Sequence, residues 1–329
     1  MQDAFDYNHP DKIPVVYNLS LAGLHLHGQK LLDLYREYPP DNPITLDEIP
    51  APPPCAIGAD GKYHELKIDE WGTEWEYLIY GIIGHPKKYP FASWADARDY
   101  QFPPLPLVDP QIVREQKMQH LVFWGWISIS EKLHALRPME EVWMDTISED
   151  EDLLAFLDRL VDYWQQAIQL ALLAGVDVFV FGDDWGTQTS TIVSPDLFRK
   201  IFKLRYQKLM EPIRKAGRRI FFHSCGYLGE IFDELLDLGI NGLWPQIRLH
   251  ESSPGALDKC RERKVTIYIH PDRQRLIPLG TPAEIEAEIK WYAELYKKNG
   301  GGGIFYVEME NDAPFENVQA LIRSIHKYR

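Results

Sequence analysis

Residues 177–226 read DVFVFGDDWG TQTSTIVSPD LFRKIFKLRY QKLMEPIRKA GRRIFFHSCG, and they predict a strand, a helix and a second strand. The segments 177–181 and 219–222 each begin with a charged residue and continue as a short apolar run, which is typical of strands buried on both faces of a parallel sheet. Between them, Ser194 and Pro195 mark a helix start, because serine is a good N-cap and proline suits the first helical position. The stretch is therefore predicted to be a βαβ unit.

The same alternation continues on both sides of this unit. Capping boxes at 148–151 and 281–284 predict two more helix starts, the first opening a helix that runs to Gly175. Further helices are predicted near 231–238, 253–263 and 316–327, and further strands at 15–17, 121–123, 242–244, 265–269 and 304–307. Strand starts about 20 to 40 residues apart are typical of parallel βα units. The sequence therefore predicts an α/β fold, first a closed (β/α)8 TIM barrel and second an open doubly wound sheet.

Proline distribution separates one region from the rest of the 329 residues. Between Pro39 and Pro110 lie 13 of the 24 prolines, together with Trp71, Trp75 and Trp94. Proline disfavours regular helices, so turns and short extended pieces are expected there. We predict a single barrel domain over residues 1–329 in which residues 39–110 are a Pro/Trp-rich insertion or cap.

Charge and composition exclude several classes of function. The chain carries 49 acidic and 35 basic side chains, a formal net charge of −14, so nucleic acids and anionic membranes are not expected as partners. Residues 1–10 hold no apolar run typical of an export signal, and no uncharged run reaches the ~18 residues of a membrane span. A cytoplasmic protein is predicted. Three cysteines cannot form a disulfide framework.

Polar and aromatic side chains follow many of the predicted strands, where the active sites of such barrels lie. These candidates are Trp126, Asp183, Asp184, Trp185, Gln188, His223, Cys225, Trp244, Gln246, His270, Asp272, Arg273, Glu308 and Glu310. His223 and Cys225 are two residues apart and would project to one side of a strand. An imidazole and a thiolate so placed are suited to zinc, although the same pattern also fits a packed histidine beside a buried thiol.

Several motifs together resemble one family. Residues 222–226 (FHSCG), 182–188 (GDDWGTQ), 272–274 (DRQ) and 314–318 (PFENV) are similar to those of the uroporphyrinogen decarboxylase superfamily, and within it to the corrinoid-dependent methyltransferase branch. Residues 69–73 and 84–87 add to the likeness. The resemblance implies a (β/α)8 barrel. It also implies zinc held by the H-x-C pair and a later cysteine, and a corrinoid (cobalamin) carried by a partner protein.

The later cysteine is missing, because the region before Pro314 has none and Cys260 is predicted to lie on a surface helix. Glu308 or Glu310 is the predicted replacement, and the sequence does not choose between them. A carboxylate keeps the formal charge of a thiolate but makes the centre harder, which favours an oxygen or nitrogen of the substrate over a sulfur.

The other candidates have two interpretations each. Asp183 and Asp184 are either catalytic proton donors or caps of a turn. Trp126, Trp185 and Trp244 either line a pocket for an aromatic methyl ether or a corrin edge, or fill the core. Arg273 either binds a carboxylate or a corrinoid phosphate, or forms a surface ion pair. Contacts to substrate or cofactor are predicted for Gln188, Gln246, His270 and Asp272.

The function predicted from these features is a zinc-dependent methyltransferase. It would move a methyl group between a small methylated substrate, such as a methoxylated aromatic compound, and a corrinoid on a partner protein. A tetrapyrrole decarboxylase is the first alternative, but residues 13–20 (IPVVYNLS) lack the arginines with which the family's decarboxylases grip carboxylates. A non-catalytic corrinoid-binding barrel is the second alternative. The oligomeric state is left open, with a homodimer among the options.

Overall fold

A computed structural model describes residues 1–44, 48–246, 253, 255–298 and 300–329. The strands, in chain order, are β1 (Val15–Asn18), β2 (Glu65–Ile68), β3 (Glu74–Tyr77), β4 (His85–Lys88), β5 (Phe123–Ile127), β6 (Val178–Gly182), β7 (Arg219–Ser224), β8 (Gly242–Pro245), β9 (Thr266–Ile269) and β10 (Gly303–Glu308).

The α-helices are α1 (Gln2–Asp6), α2 (Leu21–His27), α3 (Gln29–Glu37), α4 (Pro110–Lys117), α5 (Ser130–Leu136), α6 (Met139–Ser148), α7 (Glu151–Ala174), α8 (Pro195–Leu197), α9 (Leu204–Lys215), α10 (Phe232–Asp237), α11 (Ala256–Glu262), α12 (Leu276–Leu279), α13 (Pro282–Lys297) and α14 (Phe315–Tyr328). A π-helical segment, Phe198–Lys203, joins α8 to α9, and two 3₁₀ helices cover Pro54–Ala56 and Trp94–Ala97.

The chain divides into two compact units. The first contains residues 1–67, 75–85 and 260–329, and the second contains residues 68–74 and 86–259. In the first unit, β10 pairs in parallel with both β1 and β9, and in the second unit parallel pairing gives the strand order β5-β6-β7-β8. Within the described residues, seven parallel strands that alternate with helices along the chain make an α/β fold of the TIM-barrel type. The predicted fold class is confirmed.

The strands of the second unit are apolar along most of their length. In β6, Val178, Phe179 and Phe181 are fully buried, and in β7 the run from Ile220 to Phe222 is buried as well. Burial on both faces explains why these runs are continuous rather than alternating. The polar residues therefore come at the strand ends, where the apolar requirement stops.

The helix caps are those predicted from the sequence, except that one N-cap lies two residues later than expected. Ser194 caps α8 by accepting a hydrogen bond from the Leu197 N–H at 3.2 Å, and Thr281 forms the predicted capping box with Glu284. The predicted box at 148–151 is wrong in detail, because α6 ends at Ser148. Asp150 is the N-cap of α7 and accepts from the Leu153 N–H at 2.9 Å, since Glu149 lies in the left-handed region and separates the two helices.

Residues 39–110 contain β2, β3, β4 and the two 3₁₀ helices, which agrees with the short extended pieces expected from their prolines. Their role as a cap stays a prediction. The expected surface position of Cys260 is wrong, because its side chain is only 2 % exposed and burial raises the pKa of its thiol to about 12. None of the helices within the described residues is long and apolar enough to span a membrane.

His134 on α5 gives the second unit a pH dependence. Its ring packs edge-on against Trp143 of α6 at 4.7 Å, and its Nε2 is buried with no hydrogen-bond partner among the described residues. Burial lowers the pKa of this imidazole to about 4. The unfolded chain, with an ordinary histidine pKa near 6.5, therefore binds the proton first as the pH falls.

We expect acidification from pH 7 to pH 5 to lower the free energy of unfolding by about 2 kcal/mol through this residue. His134→Phe keeps the ring and removes the titration, so the difference in unfolding free energy between the two pH values should shrink by that amount in urea titrations. An unaltered pH dependence in His134→Phe would contradict the assignment.

Candidate metal centre

Three potential metal ligands lie together in the second unit. One ligand atom from each of Asp184, His223 and Cys225 lies within 4.8 Å of the others. The Cys225 Sγ is 3.3 Å from His223 Nε2, and Asp184 Oδ1 is 3.5 Å from the same nitrogen. The two residues of the H-x-C motif are thus brought together as expected.

Strand register places the histidine of this cluster. In the parallel pairing of β6, β7 and β8, His223 is directly opposite Gly182 on one side and Trp244 on the other. All three are at or next to the carboxyl ends of their strands, so the residues that follow leave the sheet at the same edge. This is why Asp184, two residues after Gly182, can reach Cys225, two residues after His223.

Two glycines let the loops after β6 and β7 approach each other. A Cβ at Gly226 would lie 2.0 Å from the Gly186 carbonyl oxygen, and one at Gly186 would lie 2.2 Å from the Tyr227 nitrogen. Gly226 also has φ +78°, which a non-glycine residue rarely adopts. The Gly186 N–H donates to the Cys225 carbonyl oxygen at 3.2 Å, and the contact holds the cysteine in place.

Hydrogen bonds orient the imidazole and the carboxylate. His223 Nδ1 donates to the Trp244 carbonyl oxygen at 3.0 Å, which leaves Nε2 as the nitrogen that points toward Cys225. Asp184 Oδ1 accepts the backbone N–H of Cys225 at 2.7 Å. A backbone carbonyl on the far nitrogen is the usual support of a histidine that ligates a metal.

The donor set fits zinc. Imidazole nitrogen, thiolate sulfur and carboxylate oxygen are all zinc ligands, and three protein ligands leave a fourth tetrahedral position, as in catalytic rather than structural sites. His223 is only 7 % exposed, whereas Asp184 is half-exposed at its side chain. Solvent or a substrate can therefore reach the cluster from the carboxylate side.

A fourth carboxyl group, from Glu131, lies against the cluster. Glu131 is in the first turn of α5, where its side chain is hydrogen-bonded to Asp184 and accepts from the Trp126 indole. Burial, with the charges of Asp184 and Asp183, raises the pKa of Glu131 to about 8. At neutral pH the Glu131 carboxyl therefore carries a proton, which it can donate in its hydrogen bond with Asp184.

Asp183 is fully buried and makes no approach to solvent. Its carboxyl oxygens accept the N–H groups of Ile129 and Glu131, each at 2.7 Å, and the hydroxyl of Tyr206. Burial raises its pKa to about 7, although these donors oppose the shift. Every carboxyl oxygen of Asp183 faces protein donors, so a capping role is observed, at α5 rather than at a turn, and its catalytic role stays a prediction.

Two of the three predicted tryptophans surround His223. The Trp244 ring centroid is 4.2 Å from that of His223, and the Trp126 centroid is 5.3 Å from it. The two indoles lie 6.2 Å apart at 76° to each other, and Trp126 is 44 % exposed. Trp185 differs, since it is fully buried against Phe198 and Phe202. The pocket-wall interpretation is therefore corrected for Trp185, which fills the core.

The first unit holds a separate polar group at the ends of β9 and β10. Arg273 pairs with Glu308 at 3.1 Å and with Glu310 at 2.7 Å, and Asn18 donates to Glu308. Burial raises the pKa of Glu308, and the charge of Arg273 opposes the shift. The ion-pair interpretation of Arg273 is thus observed. The metal-ligand role of the two glutamates stays a prediction.

The remaining candidates have local roles or are exposed. Asp272 accepts the N–H groups of Gln274 and Arg275 at 2.9 and 3.0 Å, and so closes a turn. His270 is buried with its ring 5.3 Å from that of Tyr306. Gln188 is exposed and Gln246 is half-buried. Contacts of these residues with substrate or cofactor stay predictions.

Sequence reasoning missed Glu131 because it ended the preceding strand too early. The strand predicted at 121–123 is observed as Phe123–Ile127, with a register irregularity between Trp124 and Ile127 and a positive φ at Gly125. A glycine within an aromatic run is the signal of a bulge that could have extended the strand. The first helical turn after it would then have joined the candidates.

Comparison with known proteins agrees with this architecture. A protein-family model described as Uroporphyrinogen decarboxylase (URO-D) matches residues 134–328. A methyltransferase from Methanosarcina mazei is similar in structure with a TM-score of 0.62 at 19 % identity, covering 99 % of this chain and 97 % of that one. This likeness shows the fold.

A B12-independent methionine synthase from Shewanella sp. W3-18-1, solved in complex with selenomethionine, is a more distant match. Its TM-score is 0.44 at 12 % identity, covering 80 % of this chain and 72 % of that one. No curated protein sequence matches the chain. The family model spans more than half of the 329 residues, including His223, Cys225 and both strand-end loops that hold them. The chain belongs to the uroporphyrinogen decarboxylase (URO-D) family.

Proposed function

We propose that this protein is a zinc-dependent methyltransferase that moves a methyl group between a small methylated substrate and a corrinoid on a partner protein. The observation that carries the proposal is the cluster of Asp184, His223 and Cys225, whose ligand atoms lie within 4.8 Å of one another. The Methanosarcina mazei protein of similar structure is a methyltransferase, which is in line with the proposal. A cytoplasmic location of the present protein is also part of the proposal.

In this proposal Asp184 is the third ligand beside His223 and Cys225. Its carboxylate contacts both of them, whereas Glu308 and Glu310 are each paired with Arg273. The sequence suggested a proton-donating role for Asp184, and its position between the imidazole and the cysteine backbone supports a ligand role instead. A neutral imidazole, a thiolate and a carboxylate balance the charge of a divalent ion.

Bound zinc would act as a Lewis acid on the heteroatom that carries the methyl group. The corrinoid of the partner would supply the cobalt that exchanges the methyl group. The chain itself would hold the substrate beside the cluster: Trp126 and Trp244 flank His223, and their two indoles lie nearly perpendicular to each other and offer an apolar corner. A planar ring stacks well on such faces, which favours a methoxylated aromatic compound as the substrate.

Decarboxylation of a tetrapyrrole is the second candidate, because the matching family model carries that name. Two observations weigh against it. Residues 13–20 contain no arginine, and Arg273 is occupied by two glutamates. An acidic chain without a free arginine clamp in these places is poorly suited to a polycarboxylate.

Metal analysis tests the centre. We expect the purified protein to bind one zinc ion, and His223→Ala and Cys225→Ala to lose it, because removing one of three protein ligands weakens such a site strongly. Asp184→Ala should also lose zinc. The measurement is zinc content by elemental analysis after dialysis against a weak chelator.

Cys55→Ala is the matched control for the cysteine variant, since Cys55 is an exposed free cysteine. It should retain full zinc occupancy. Absence of stoichiometric zinc in the unmodified protein, or full occupancy in His223→Ala and Cys225→Ala, would refute the centre. If Asp184→Ala retains zinc while His223→Ala and Cys225→Ala lose it, the third ligand would be Glu308 or Glu310 instead of Asp184.

Substrate choice is tested by methylation of Co(I) cobalamin, followed spectroscopically against a panel of aromatic methyl ethers, methylated amines and methyl thioethers. We expect the aromatic ethers to react best. Trp126→Leu should lower kcat/KM for them about tenfold, mainly through KM, because one stacking face is lost. Trp126→Phe should recover most of the activity.

Trp291→Leu provides the control, because Trp291 on α13 is also 44 % exposed. It should leave the kinetics unchanged. An equal loss in both leucine variants would show that the effect is not specific to the site. No reaction with any member of the panel by the zinc-loaded protein would argue for the corrinoid-binding alternative.

A further inference from the structure

Asp183 supplies a cap that α5 cannot provide for itself. The residue before this helix, Ile129, has no side-chain oxygen and makes no side-chain cap. Asp183, from the end of β6, accepts the Ile129 N–H with one oxygen and the Glu131 N–H with the other, both at 2.7 Å. The Tyr206 hydroxyl donates to the same carboxyl group. A fully buried acid is thus completely satisfied by donors that belong to two other elements.

The cap fixes the position of Glu131, the residue that contacts the candidate ligand cluster. Glu131 gives its backbone N–H to Asp183, while its side chain is hydrogen-bonded to Asp184 and to the Trp126 indole. Two consecutive residues of the chain therefore contact Glu131 by two routes, Asp183 through the backbone and Asp184 through the carboxyl group. The distance between the first turn of α5 and the end of β6 is set by both contacts together.

Asp184 depends on this arrangement for its direction. Its Oδ1 faces the Cys225 N–H and His223 Nε2, at 2.7 and 3.5 Å. A carboxylate held by one such contact can rotate, whereas a second hydrogen bond, from Glu131, restrains it. The restraint works only if Glu131 is itself held, and Asp183 holds it.

We propose that Asp183 is a positioning residue for the metal centre, acting through the backbone of α5 and the side chain of Glu131 on Asp184. The proposal rests on the proposed function, since it assumes a metal at Asp184, His223 and Cys225. Groups that orient the ligands of a metal typically contribute 10- to 100-fold to metal affinity. A cap with only a structural role would contribute to folding stability and leave metal affinity unchanged.

The test is Co(II) binding by the full chain, with the thiolate-to-cobalt absorption as the signal for Cys225, alongside urea unfolding of the metal-free protein. Asp183→Asn keeps the shape of the side chain but presents an amide nitrogen to one of the two backbone N–H groups. We expect Co(II) affinity to fall 10- to 100-fold while the thiolate absorption at saturation is retained.

Glu131→Ala tests the link directly and spares the buried cap. It should weaken Co(II) binding to a similar extent, and Glu131→Gln should restore it, because glutamine can still donate to Asp184 and accept from Trp126. The double variant Asp183→Asn/Glu131→Ala should bind no more weakly than the weaker single variant, since both changes remove the same restraint.

Asp150→Asn is the matched control, an identical change at the N-cap of α7. It should cost stability and leave Co(II) affinity unchanged. If Asp183→Asn behaves in the same way, or if the losses in the double variant add, the proposal is overturned while the metal centre stands. Normal affinity in Glu131→Ala overturns it equally, even where Asp183→Asn fails to fold. Failure of the unmodified protein to bind Co(II) or zinc would overturn the metal centre together with this inference.

Discussion

The close backbone contact between Gly186 and Gly226 is the constraint on which the candidate centre depends. The loops after β6 and β7 meet there with no room for a Cβ on either side. Without that approach, the Gly186 N–H could not donate to the Cys225 carbonyl, and the cysteine would not be held beside His223. The two motif segments, 182–188 and 222–226, therefore act as one structural unit. The glycines are required because the two backbones approach too closely for a Cβ, and the polar residues supply the candidate ligand atoms.

Burial of acids is the second physical feature of the centre. Asp183, Asp184 and Glu131 lie close together in a chain that is already strongly acidic, and mutual repulsion would be costly if all three were ionised. The structure reduces this cost in two ways: donors from Ile129, Glu131 and Tyr206 surround Asp183, and burial raises the pKa of Glu131 so that it keeps its proton. The charge that remains next to His223 and Cys225 is mainly that of Asp184, where a cation would compensate it.

Much of the fold could be predicted from the sequence, because buried parallel strands and capped helices leave local signals. The strand around 177–181 and the caps at Ser194 and Thr281 depend on residues that are neighbours in the chain. The prediction for Cys260 was wrong because charged neighbours on a helix do not reveal which face is buried. The same limit applies to Trp185, whose position after a strand fits a pocket wall and a core residue equally well.

The candidate site was predicted in part, for a related reason. His223 and Cys225 share a strand end, so their proximity follows from chain geometry alone. Asp184 joins them only through the register of β6 with β7, and Glu131 only through the cap that Asp183 places on α5. Such contacts are set by tertiary structure.

The proposed third ligand shows how contacts set by tertiary structure change the chemical interpretation of the site. From sequence, the missing cysteine pointed to the strand-end glutamates Glu308 and Glu310, because they occupy the region where the resemblance implied a ligand. In the structure each glutamate has an arginine partner, and a carboxylate already paired with Arg273 would have to give up that interaction to bind a metal. Asp184 faces an imidazole and a backbone N–H instead, neither of which competes in charge with a divalent ion. A site assembled from β6 and β7 alone therefore needs less rearrangement to become a zinc centre.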